Sequence, residues 1–143
     1  MTPETGGDPT NPAHSDYFSR LNQCLLQASH LAKDFSPANV ANISVEEKAN
    51  NDPVTEADRA INVLLFKDLV RTGDGRLSEE TVDDGERLNK DRVCIVDPID
   101  GTREFLAGLP EWVVSVALVQ NGEAIAGGIL NPWADELFVG SLR

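Results

Sequence analysis

Hydrophobic spacing changes character partway along this chain of 143 residues. In the first half Phe18, Leu21, Leu25, Ala28, Ala32 and Phe35 recur at helical intervals, with Ser15 as an N-cap and Ser36-Pro37 as a stop. That phase predicts a buried stripe containing Phe18, Leu21 and Leu25. Ser44 to Lys48 reads as a short strand before the turn formers Asn50-Asn51-Asp52-Pro53. Thr55 then opens a second helix, expected to run to about Arg71. Its start, Thr55-x-x-Asp58, has the form of a capping box, with an acid near the positive end of the helix dipole.

The second half reads as strands. Thr72 to Arg92 carries Gly73, Gly75 and Gly85 among dense charges and is expected to be loop. Val93-Cys94-Ile95-Val96 is a β-branched apolar run. Arg103 to Ala107 suits a short helix stopped by Gly108 and Pro110. Val113 to Val119 and Ala124 to Leu130 flank Asn121-Gly122, a hairpin turn, and Glu136 to Val139 offers one more strand. Helices followed by hairpin-linked strands predict an α+β fold, with helices packed on an antiparallel sheet. Residues 1–14, rich in Pro, Gly, Thr and Asn, read as a disordered leader.

Composition narrows the picture modestly. A length of 143 residues suits one domain with a real core, and 41% hydrophobic with 25% charged residues is ordinary for a globular chain. The net charge of −12 opposes binding to nucleic acid polymers or anionic membranes. It leaves room for a small phosphorylated substrate, because a bound cation reverses the local field. No stretch has the apolar length of a membrane span. Cys24 and Cys94 form no C-x-x-C pair, and a buried reduced Cys94 fits the cytoplasm. His14 and His30 belong to no zinc or triad pattern, so carboxylates and hydroxyls must carry any chemistry.

The apolar run ends in Asp97-Pro98-Ile99-Asp100-Gly101-Thr102. Proline presets one corner of a turn, so Asp97 and Asp100 can face the same point. Their carboxylates and the intervening carbonyl are hard oxygen donors that suit magnesium better than zinc or copper. Gly101 lets the backbone come close, and N–H groups at a helix start can take a phosphate oxygen. Alone, Asp-Pro and Asp-Gly are ordinary turn formers. What changes the reading is the company upstream: Glu79-Glu80, and further back Asp52-Pro53-Val54-Thr55-Glu56-Ala57-Asp58.

These three segments, in this order, resemble the inositol monophosphatase superfamily of magnesium-dependent, lithium-sensitive phosphatases. The resemblance runs from about Asp52 to Arg143. Arg103-Glu104-Phe105 after the threonine is closer to the 3'(2'),5'-bisphosphate nucleotidase branch. Two departures stand out. Ser78-Glu79-Glu80 replaces the usual Gly-Glu-Glu, and the Trp-Asp motif that supplies a further metal ligand does not follow Thr102. Residues 15–143 therefore look like the N-terminal, metal-binding half of a layered sugar-phosphatase-like fold, with the second half absent.

The resemblance implies hydrolysis of a phosphate monoester with two or more Mg2+ ions. Glu79, Asp97, Asp100 and the carbonyl of Ile99 would be metal ligands, with Glu80 as readily a supporting or surface acid. Asp58, Glu79 and Thr102 would be catalytic, and Gly101 and Thr102 would bind phosphate. A homodimer is compatible with the family. The competing reading is a truncated module that binds metal or oligomerises without turnover. A dehalogenase-type phosphatase is opposed by Pro98, which stands where the nucleophilic aspartate belongs, and the EF-hand spacing is absent around Asp97.

Overall fold

The computed structural model describes residues 12–35, 45–47 and 53–142. Helix α1 covers Pro12–Asp34 and α2 covers Glu56–Leu69. A two-stranded antiparallel ribbon, β1 (Val45–Glu47) with β2 (Pro53–Thr55), lies between them in the chain. A five-stranded sheet follows in the spatial order β3 (Gly75–Ser78), β4 (Arg92–Asp100), β5 (Val113–Gln120), β6 (Glu123–Asn131) and β7 (Glu136–Ser141). A 3-10 turn at Glu86–Asn89 and the short helix α3, Thr102–Leu106, complete the elements.

The α+β expectation holds, with one refinement. The sheet is mixed, because β3 pairs parallel with β4 while β4 to β7 are antiparallel. The segment expected to be loop contains β3. Its four residues are too few for alternation to show, and a parallel neighbour needs a crossover, which the segment with the 3-10 turn provides. Helix α1 begins at Pro12, inside the expected leader, and proline is well tolerated at the first helical position. Residues 1–11 lie outside the described residues, as does most of the Asn50–Pro53 turn.

The core lies between the helices and one face of the sheet. Leu21, Cys24, Leu25, Ala28 and Ala32 of α1 meet Ile61, Leu65 and Leu69 of α2 over Cys94, Val96, Val114, Val116 and Leu118. Phe18 is only half-buried; Tyr17 takes its place in the stripe, so the register begins one residue earlier than expected. Helix α1 comes close to the sheet at Gly128, where a Cβ would stand 2.5 Å from Leu25 Cδ1. Asn121 and Gly122 both have positive φ, 50° and 81°, as the β5–β6 hairpin turn requires. The sheet's other face carries Ile95 and Ala117, both half-buried, and the exposed Ile129 and Phe138.

Candidate active site

Strand β4 carries the key segment to the sheet's end and bends there. Asp97 pairs with Ser115 and Asp100 with Val113, so β4 spends one residue more than β5 over this interval. Pro98 sits inside the irregularity, which tolerates a residue without an N–H. A regular strand would send residues three apart to opposite faces; the extra residue resets that alternation before Asp100.

Gly101 completes the turn with φ of 101°. A Cβ there would lie 2.9 Å from the Glu111 carbonyl oxygen and 3.1 Å from Trp112 Cβ, so space and conformation both demand glycine. Helix α3 starts at once, with Phe105 N–H donating to the Gly101 carbonyl at 2.9 Å. Phe105 is buried edge-on against Trp112, ring centroids 5.0 Å apart, and this contact anchors the turn from beneath.

Asp58 faces that turn from the first turn of α2. It is fully buried. Its Oδ2 accepts from Thr55 N–H at 2.8 Å and from Thr55 Oγ1 at 2.6 Å, while its own N–H donates to Thr55 Oγ1 at 3.2 Å. This is the expected capping box. Its other oxygen, Oδ1, lies 3.1 Å from Thr102 Oγ1, which is also 3.1 Å from the Ile99 carbonyl oxygen. A hydroxyl has one proton, so it donates to one of these acceptors at a time.

Glu79 and Asp97 line one open cavity of about 370 Å³ on the sheet face opposite the helices, together with Ser78, Ile95, Ser115 and Ala117. Asp97 Oδ1 is sealed from solvent, whereas Glu79 is exposed. Asp100 is exposed and Ile99 is buried; neither lines this cavity. No three His, Cys, Asp or Glu side chains gather into a cation-binding group among the described residues. Hard carboxylate donors, Glu79 just past β3 and Asp97 on β4, still suit a magnesium-type cation, which commonly keeps several waters and takes one or two protein carboxylates.

Two contributors escaped the sequence reading. Ser78 Oγ donates to Asn62 Oδ1 at 2.6 Å and accepts from Glu80 N–H at 3.1 Å, and both side chains are buried. A usable signal existed: Asn62 falls one helical turn after Asp58, a polar residue on an otherwise apolar face.

The sequence pattern of the inositol monophosphatase family matches residues 20–143. Inositol-1-monophosphatase of Mesorhizobium japonicum is 38% identical over 130 residues, covering 88% of this chain and 47% of that protein. A 3'-phosphoadenosine 5'-phosphate phosphatase of Mycobacterium bovis is 53% identical over 64 residues, 43% of this chain and 24% of that protein. Among solved structures, the extragenic suppressor protein suhB of Bartonella henselae superimposes with a TM-score of 0.75 at 34% identity, over 86% of this chain and 48% of that one. The chain spans about half the length of the inositol-1-monophosphatase and suhB chains that it matches. With the bent strand, the capped aspartate and these likenesses in agreement, the chain belongs to the inositol monophosphatase family.

Proposed function

We propose that this chain carries the metal-binding half of a magnesium-dependent phosphomonoesterase. The observation that carries the reading is that Glu79 and Asp97, from separate segments, line one cavity on the sheet face opposite the helices. Glu79, Asp97, Asp100 and the Ile99 carbonyl would hold the ions. Bound there, magnesium supplies positive charge against the phosphate and makes water more acidic. The chain's own part is positioning, which dominates phosphoryl transfer. Thr102, donating its proton to Asp58, keeps its lone pairs available to accept a hydrogen bond from water. Glu79 is a second acceptor for that water. The Gly101 and Thr102 amides, at the start of α3, would take phosphate oxygens.

The substrate is a small phosphate monoester. The 53% identity with a 3'-phosphoadenosine 5'-phosphate phosphatase supports a nucleotide bisphosphate over an inositol phosphate, although the inositol-1-monophosphatase likeness extends further along the chain. Two buried free cysteines suit a reducing compartment, the cytoplasm. No helix among the described residues is long and apolar enough to cross a membrane.

A second reading has one observation in its favour. The described residues gather no three-ligand group, so a metal-binding or oligomerising module without turnover is the alternative. Phosphate release from 3'-phosphoadenosine 5'-phosphate and inositol 1-phosphate, with and without Mg2+, separates the two. Magnesium-dependent turnover of either supports the enzyme. A folded, magnesium-loaded chain that turns over neither supports the module.

A further inference from the structure

Two segments carry the candidate chemistry, and a single face of α2 holds both. Asp58 and Asn62 stand one turn apart, 0% and 5% exposed, as the polar residues in a stripe otherwise filled by Ala57, Ile61 and Leu65. Asp58 holds Thr102, just past β4. Asn62 holds Ser78, the last residue of β3.

We infer that the Asn62–Ser78 pair is a positioning device for Glu79, an assignment that rests on the cavity beside it being the cation site. Glu79 follows the last residue of β3, where the strand gives way to a turn. Hydrogen bonds between the residues on either side of it shape that turn. Ser78 Oγ accepts from Glu80 N–H at 3.1 Å, and the Ser78 carbonyl accepts from Thr81 N–H at 3.4 Å, so the backbone is pinned on both sides of Glu79. A serine turn alone would fix only the local bend. Here the same hydroxyl gives its proton to Asn62 at 2.6 Å, which ties the bend to the helix bearing Asp58. Helix α2 thus sets the spacing between the segment of Glu79 and the segment of Thr102. A supporting shell of this kind fixes how a ligand is aimed, and its removal weakens metal affinity while leaving the ligands in place.

The test is a double-mutant cycle on this chain with Ser78→Ala, Asn62→Ala and the double variant. It reads amide hydrogen exchange at Glu79, Glu80 and Thr81, and Mn2+ affinity by electron paramagnetic resonance. Each single substitution is expected to speed exchange at these amides and weaken Mn2+ binding about tenfold. The double variant should be no worse than either. Ser78→Cys, near-isosteric with a weak donor, should fall between wild type and Ser78→Ala, and it serves where Ser78→Ala does not fold. Strictly additive effects, or wild-type exchange in Asn62→Ala, would overturn the inference. If the wild type binds no Mn2+ while the exchange remains coupled, the cation reading of the cavity fails and the tether stands. Mn2+ binding with uncoupled exchange leaves the cavity reading intact and removes the tether.

Discussion

Thr102 Oγ1 lies 3.1 Å from Asp58 Oδ1, joining residues 44 positions apart across the interface between α2 and the end of β4. The contact places a half-buried hydroxyl against a carboxylate with no exposure to water. The opposite oxygen of that carboxylate is already engaged by Thr55. Asp58 therefore caps its own helix and grips the candidate catalytic turn at once.

Asp58→Asn should separate those two tasks. An amide keeps one acceptor oxygen, so either Thr55 or Thr102 faces an NH2 group instead. Leaving a buried donor unmet costs about 1–3 kcal/mol, visible as a lower urea midpoint. Thr102→Ser keeps the hydroxyl and should retain most of the activity, whereas Thr102→Val should lose far more activity than stability. Equal activity in the Ser and Val variants would remove Thr102 from the mechanism.

Gly101→Ala should be destabilised by about 1–3 kcal/mol, because a left-handed conformation and a 2.9 Å contact with the Glu111 carbonyl both oppose a side chain. Thermal unfolding checks this. A wild-type Tm would mean that the turn relaxes without strain.

Tyr17→Phe should be neutral or stabilising by up to about 1 kcal/mol. The Tyr17 hydroxyl is buried with no hydrogen-bond partner among the described residues, and burial pushes its pKa up. Removing the orphan oxygen leaves the ring packed in the stripe. A loss of stability in denaturant titration would show that the hydroxyl is satisfied.

Alkaline pH should weaken the fold. Burial pushes Cys94 and Cys24 up from the ordinary thiol value of 9.0 to about 12, helped at Cys94 by Cys24 and Asp74 and at Cys24 by Asp68. The unfolded chain releases these protons near pH 9 while the folded chain keeps them until about pH 12. The unfolded state thus binds fewer protons in that window. The contribution is complete below pH 9 and is lost as pH rises toward 12. Thiolate absorbance followed against pH should rise only near the upper limit in the folded protein. Titration near pH 9 in the native state would contradict the burial argument.

Much of this was legible in the sequence because the signals were local. The capping box at Thr55 and Asp58, the Asn121-Gly122 turn and the bend at Asp97–Thr102 each follow from a few adjacent residues. The resemblance names Asp58 and Thr102 together as catalytic, but nothing local links residues so distant, and the fold supplies their contact. Strand β3 was missed because four residues among charges and glycines show no alternation and are stabilised by their parallel neighbour. The Asn62–Ser78 tether is a tertiary contact, and Asn62 as a polar residue on an apolar helix face does not by itself name its partner. Phe18 was misplaced for a different reason: Tyr17 and Phe18 satisfy helical spacing almost equally, and packing against the rest of the core chose Tyr17.

The central claim is that the cavity over β3, β4 and β5 is a magnesium site built on Glu79 and Asp97. Calorimetric titration of Mg2+ into the wild-type chain and Asp97→Asn, with both shown to be folded, tests it most directly. The account predicts saturable binding to the wild type and its loss, or a weakening of at least about tenfold, in Asp97→Asn. Equal binding by the two proteins, or none by a folded wild type, would contradict it.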